Sequence, residues 1–145
     1  MKMLVQRVSE ASVSVNGRRV SEIENGFLVF AGFYRGENEA VCARAAEKLL
    51  CLRIFEDDKG KMNKNITEVN GQVLLVSQFT LCAETKKGNR PSFDRAMESN
   101  EAAKFFNMLF ETLSKSIVVK QGEFKSLMDV SLVNHGPATF MLEIE

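Results

Sequence analysis

The sequence predicts a single α+β domain, residues 1–145, whose sheet is mixed. Three observations carry that expectation: two segments with helical apolar spacing, about seven or eight segments with strand character, and hairpin signals at both ends of the chain. A length of 145 residues fits one domain of the usual ~100 to 200 and rules out two. A chain of this size buries roughly 70% of the surface its unfolded form exposes, so it builds a core without disulfides or a structural metal.

From Met3 to Val15 apolar residues recur mostly at every second position, with one slip that reads as a bulge. Asn16-Gly17 supplies the positive-φ pair of a tight hairpin turn, and Arg18 to Ile23 is the returning strand. The unbroken apolar run Phe27 to Phe33 is short enough to be a strand buried on both faces. Asn38 is placed to cap a helix whose Val41, Cys42, Ala45, Ala46, Leu49 and Leu50 form one apolar face. Leu52 to Phe55 reads as a strand ended by a charged turn, and Gln72 to Phe79 as another, entered from Asn70-Gly71. From about Asn100 a second helix keeps Ala102, Phe105, Phe106, Leu109, Phe110 and Leu113 on one face. The last third returns to strand at Ile117 to Val119, Met128 to Asn134 and Ala138 to Glu145, with Gly136-Pro137 expected to break the final two.

Nineteen basic residues balance nineteen acidic ones, so any nucleic-acid contact has to be a local patch. Three cysteines, Cys42, Cys51 and Cys82, include no C-x-x-C and read as reduced thiols, with neither a disulfide framework nor a zinc site. The first residues hold Lys2 and Arg7 with no apolar leader, and no run approaches the ~18 residues of a membrane span, so a soluble, cytoplasmic protein without a membrane partner is expected. One histidine, and no P-loop, G-x-G-x-x-G, H-E-x-x-H or G-x-S-x-G, argue against metal, nucleotide-cofactor and serine-hydrolase chemistry; no cofactor is expected.

Three segments nevertheless hold groups suited to chemistry. Ser77-Gln78-Phe79-Thr80-Leu81 sets two hydroxyls and an amide at the end of a buried strand, where side chains and N–H groups reach into a cleft. Read from the residues alone, a strand edge with hydroxyls bonded to its neighbour is the commoner arrangement. Lys86-Lys87-Gly88-Asn89-Arg90-Pro91-Ser92-Phe93 fits phosphate contact, and equally a solvated turn. Asn134-His135-Gly136-Pro137-Ala138-Thr139 is by default a trans turn, with His135 a turn residue rather than a base.

Taken together, Ser77 to Leu81, Gly88 to Phe93, and Asn134 with Gly136-Pro137 and Thr139 stand in the order and spacing of the D-aminoacyl-tRNA deacylase family, of the D-Tyr-tRNA(Tyr) deacylase type. Gln6-Arg7-Val8 and Leu52-Arg53-Ile54-Phe55 resemble that family too, so the resemblance spans the chain. It implies a partial-barrel fold and a homodimer, with active sites at the subunit interface. It implies hydrolysis of the ester joining a D-amino acid, or misattached glycine, to the 3′ end of tRNA, which is chiral proofreading in translation. The residues Ser77, Gln78, Phe79 and Thr80 would line the pocket, either with Thr80 as nucleophile or with the tRNA ribose 2′-OH doing the chemistry. The absence of an evident base for Thr80 favours the second. Gly136 and Pro137, joined by a cis bond, would enter the partner's site and exclude an L side chain. Phe124 and Met128 would floor the pocket, Arg7 would serve substrate binding, and Lys86, Lys87 and Arg90 would meet the tRNA.

Three departures from the family pattern stand out. His135 replaces the usual Asp, Ala138 the usual Val, and Lys125-Ser126 a small Gly-Ala pair whose glycine conformation a lysine is not expected to adopt. Two other readings remain: a non-RNA D-amino acid esterase or amidohydrolase using Thr80, and a non-catalytic RNA-binding module. Against the module, Phe79 and Phe93 are not expected to form a paired stacking platform on a sheet.

Overall fold

A computed structural model describes residues 1–86 and 88–145; Lys87 lies outside the described residues. The chain runs β1 (Lys2–Val15), β2 (Arg18–Ile23), β3 (Gly26–Gly32), α1 (Ala40–Cys51), β4 (Phe55–Glu56), β5 (Met62–Lys64), β6 (Gln72–Ser77), α2 (Ser99–Ser114), β7 (Val119–Gln121) and β8 (Asp129–Glu143). The main sheet is ordered β2-β1-β3-β6-β7, with β8 paired to the other side of β1. Pairings among β1, β2, β3 and β8 are antiparallel, whereas β3–β6 and β6–β7 are parallel, so the sheet is mixed as expected.

Each parallel step needs a crossover, and the helices lie within them: α1 between β3 and β6, α2 between β6 and β7. The cap position of α1 falls on Glu39, which makes no side-chain cap bond, and not on Asn38 as its sequence suggests; Asn38, one residue earlier, still accepts the Ala40 N–H on its Oδ1 at 3.1 Å. Both helices bury their apolar faces in one core with Phe27, Val29, Val73 and Leu75. A second core holds Leu28, Leu74 and Val76 from the opposite face of the same strands, with Val8, Ala11, Val13 and Ile23. That is why β3 and β6 are continuously apolar instead of alternating. Along β1 the buried side chains pass from the helix-covered core at Met3 and Val5 to the second core at Val8, Ala11 and Val13, across two register shifts between Gln6 and Glu10, and the sheet curls into a nearly closed barrel.

Several boundaries differ from expectation. Leu52 to Ile54 is not a strand; pairing begins only at Phe55, opposite β5, which sequence periodicity does not reveal. β6 stops at Ser77, and Phe79–Cys82 winds into a 3₁₀ turn, so Phe79 and Thr80 stand on the turn and not on the strand. Gly136-Pro137 does not interrupt β8. Gln6 pairs with Thr139 and Val8 with Asn134, which leaves residues 135–138 opposite Arg7 alone. The strand survives because it is an edge strand: β1 holds both halves in register, and a bulge absorbs a residue that lacks an N–H.

Candidate active site

The end of β6 forms one wall of a cleft. Gln78 donates its N–H to the Ala31 carbonyl at 2.8 Å, which draws the chain across the end of β3. Gly32 permits that approach, because a Cβ there would stand 2.7 Å from the Gln78 carbonyl oxygen. The 3₁₀ turn follows at once, Leu81 donating to Gln78 and Ala83 to Thr80. The N–H groups of Phe79 and Thr80 precede these bonds, at the position where a helical turn leaves donors without an intrahelical acceptor.

The facing wall is the segment between β7 and β8. Gly122 donates to the Leu75 carbonyl at 2.9 Å, and the Phe124 ring packs on Phe106 of α2 with centroids 5.8 Å apart. Ser126 closes the turn on Glu123, N–H to carbonyl at 3.3 Å and hydroxyl to carboxylate at 2.6 Å. Lys125 adopts φ +66°, so the left-handed conformation that suits glycine is kept despite the side chain. Between the walls lies a cleft of about 540 Å³.

Of the residues singled out by sequence, Ser77, Gln78, Phe79, Phe124 and Met128 come together as lining of this cleft. Thr80 does not: it is exposed and outside the lining, its hydroxyl accepting from the Gln78 amide, a group that is no base. Gly136 and Pro137 are also outside it, on the bulge of β8, and their peptide bond is cis. Asn134 spans that bulge, its Nδ2 donating to the carbonyls of Arg7 at 3.0 Å and Ala138 at 3.3 Å.

Arg7 sits behind the bulge rather than in the cleft. It is buried, with Nε donating to the His135 carbonyl at 2.9 Å and Nη1 to the Ile54 carbonyl at 2.6 Å. Glu56 lies 3.6 Å from Nη2, close enough to balance charge but too far to accept a hydrogen bond, so that buried nitrogen has no acceptor. Its partners Ile54 and Glu56 were not foreseeable, since both contacts cross between distant segments and one is to main chain.

Beside the cleft, Phe79 and Phe93 do pair, edge to face with centroids 5.2 Å apart, and both are exposed. They meet on the 3₁₀ turn and a loop, and so form no paired stacking platform on a sheet surface. The loop holding Lys86 and Arg90 is closed by a bridge between Glu84 and Ser92, whose N–H and carbonyl groups bond reciprocally at 2.8 and 3.1 Å. Glu84 turns inward on this loop, and the Lys86 N–H it accepts holds its carboxyl below the usual range. Lys86 and Arg90 are exposed; the third basic residue, Lys87, lies outside the described residues.

Elsewhere the reactive groups are held quiet. Burial pushes the Cys42 and Cys82 thiols up to about 11, which keeps them protonated and unreactive at neutral pH, while Cys51 is exposed. Among the described residues, no three His, Cys, Asp or Glu side chains gather to hold a metal ion, and no helix is long and apolar enough to cross a membrane.

The chain's residues 4–143 match the family model for D-Tyr-tRNA(Tyr) deacylase. The chain is 48% identical over 143 residues to the D-aminoacyl-tRNA deacylase of Thermodesulfovibrio yellowstonii, covering 98% of each chain. With the D-aminoacyl-tRNA deacylase of Aliivibrio salmonicida it shares 46% identity over 144 residues, covering 99% of this chain and 100% of the relative. A solved structure described as a c-Myc DNA unwinding element binding protein superposes with a TM-score of 0.94 at 39% identity, over 99% of this chain and 98% of the other. A probable eukaryotic D-amino acid tRNA deacylase shares the fold alone, with a TM-score of 0.83 at 16% identity over 97% of each chain. With the family model matched almost end to end and close relatives aligned over their full lengths, the chain belongs to the D-Tyr-tRNA(Tyr) deacylase family.

Proposed function

We propose that the protein hydrolyses the ester joining a D-amino acid to the 3′-terminal adenosine of tRNA, releasing the free amino acid and tRNA, and that it removes glycine misattached to tRNA by the same chemistry. The cleft carries this reading. It offers neutral hydrogen-bonding groups at Ser77 and Gln78 above an apolar floor of Phe124 and Met128, in a volume suited to an aminoacylated nucleoside. Attack on the ester carbonyl builds negative charge on its oxygen, and the N–H groups of Phe79 and Thr80 at the head of the 3₁₀ turn suit that oxyanion. The position of Thr80 outside the lining, bonded to an amide, favours the ribose 2′-OH of the tRNA over its hydroxyl as the participating group.

The site is completed by a second copy of the chain. Gly136 and Pro137 line no part of their own cleft, yet they stand on an exposed bulge that Arg7 and Asn134 hold in place. Inserted into a partner's cleft, their carbonyls face the position of an L side chain and exclude it by contact, whereas hydrogen or a D side chain is admitted. Glycine therefore passes the same filter. The exposed pair Phe79 and Phe93 offers a stacking face to an unpaired base of the 3′ end, and Lys86, Lys87 and Arg90 meet backbone phosphates. Such a substrate belongs to the cytoplasm.

Turnover of D-tyrosyl-tRNA against D-tyrosine methyl ester tests the reading. Rapid release from tRNA with background rates on the free ester is expected; comparable turnover of both would make the protein a simple D-amino acid esterase.

A further inference from the structure

Among the described residues, Lys125 is the only one with a charged side chain that lines the cleft. Two features hold it there. Its backbone keeps φ +66°, a conformation disfavoured for any residue with a Cβ, and its Nζ donates to Asn100 Oδ1 at 3.0 Å on the first turn of α2. No carboxylate pairs with it among the described residues: the neighbouring Glu123 takes the Ser126 hydroxyl, and Glu98 is paired with Arg35. A lysine with an exposed side chain and no carboxylate partner among the described residues thus lines an otherwise neutral and mostly apolar cleft.

An aminoacylated 3′ end brings two charges near its ester: the ammonium of the amino acid, and the phosphodiester that joins the terminal adenosine to the nucleotide before it. Lysine repels the first and attracts the second. We infer that Lys125 binds this phosphodiester and so aligns the terminal nucleotide with its ester toward Ser77, Gln78 and Phe79. The inference rests on the deacylase reading above and adds a binding residue to it. The interaction reads no amino acid, so D-over-L selectivity is unaffected by it.

The test compares D-tyrosyl-tRNA with D-tyrosyl-adenosine, which has the ester but no phosphate, for wild type, Lys125→Gln, Lys125→Arg and Lys125→Gly. On charged tRNA at low salt, Lys125→Gln is expected to raise KM about tenfold with kcat nearly unchanged, as suits removal of one charge-assisted hydrogen bond. Its log–log salt dependence flattens by about 0.7 for one phosphate of a single strand. Lys125→Arg retains most of the affinity, and no variant loses kcat/KM on the nucleoside ester. Lys125→Gly relieves the backbone and removes the cation together, so a stable fold with the same KM defect is expected. Equal losses on both substrates would mean a structural role and overturn the inference, as would wild-type KM on tRNA in the Gln or Gly variant. Wild type inert toward charged tRNA would instead refute the deacylase reading itself.

Discussion

Arg7 is the side chain against which the Gly136-Pro137 segment rests, and its buried guanidinium bonds the His135 and Ile54 carbonyls at once. Removing it leaves two carbonyls without donors, at about 1–3 kcal/mol each where no water replaces them. Arg7→Met is therefore expected to lower stability by about 2 kcal/mol or more, read as a lower urea midpoint with an unchanged slope; a midpoint equal to wild type would show that the arginine supports nothing. Thr80 presents the opposite case, a residue of reactive type in an unreactive place. Thr80→Ala is expected to keep its rate within about tenfold of wild type, whereas tRNA ending in 2′-deoxyadenosine loses nearly all turnover with the unaltered enzyme. A loss of ~10³ or more in Thr80→Ala, with the deoxy substrate still cleaved, would make the hydroxyl the nucleophile.

Among the elements, the loop bridged by Glu84 and Ser92 touches the cleft wall through the Phe79–Phe93 contact and carries Lys86 and Arg90 exposed. Arg19 and Lys64, in other basic segments, are paired with Glu22 and Asp58 at 2.7 and 3.1 Å. Lys86→Ala and Arg90→Ala are each expected to flatten the salt dependence of tRNA binding, by roughly 0.7 to 0.9 in log–log slope for each phosphate no longer neutralised; wild-type slopes in both would put the tRNA elsewhere. Much of this layout was legible in the sequence, because β1 to β3, α1 and α2 declare themselves through apolar spacing with local turn and cap signals. The rest depends on distant partners. The run at Leu52 to Ile54 is apolar but finds no strand beside it, and β5 pairs too briefly to show a period. The turn at Phe79–Cys82 hides in a continuation of apolar residues, and Pro137 reads as a break only if the strand lacks a long partner such as β1. At the site, Ser77 to Phe79, Phe124 and Met128 were recognisable as types, but that Lys125 shares their cleft follows from the parallel pairing of β6 with β7.

For the whole molecule, the two cores leave β8 as a long edge strand with Val133 and Met141 half exposed upon it, and Leu127 beside the cleft is 93% exposed. Unpaired strand edges and exposed apolar side chains are features that association covers. A dimer is expected in light scattering at micromolar concentration, and a monomeric protein with full activity would remove the shared-site account. The central claim is chiral hydrolysis of charged tRNA. Single-turnover deacylation of D-tyrosyl-tRNA and L-tyrosyl-tRNA by the same preparation tests it most directly: rapid release of D-tyrosine with the L ester at its spontaneous rate is predicted, and equal release of both would contradict it.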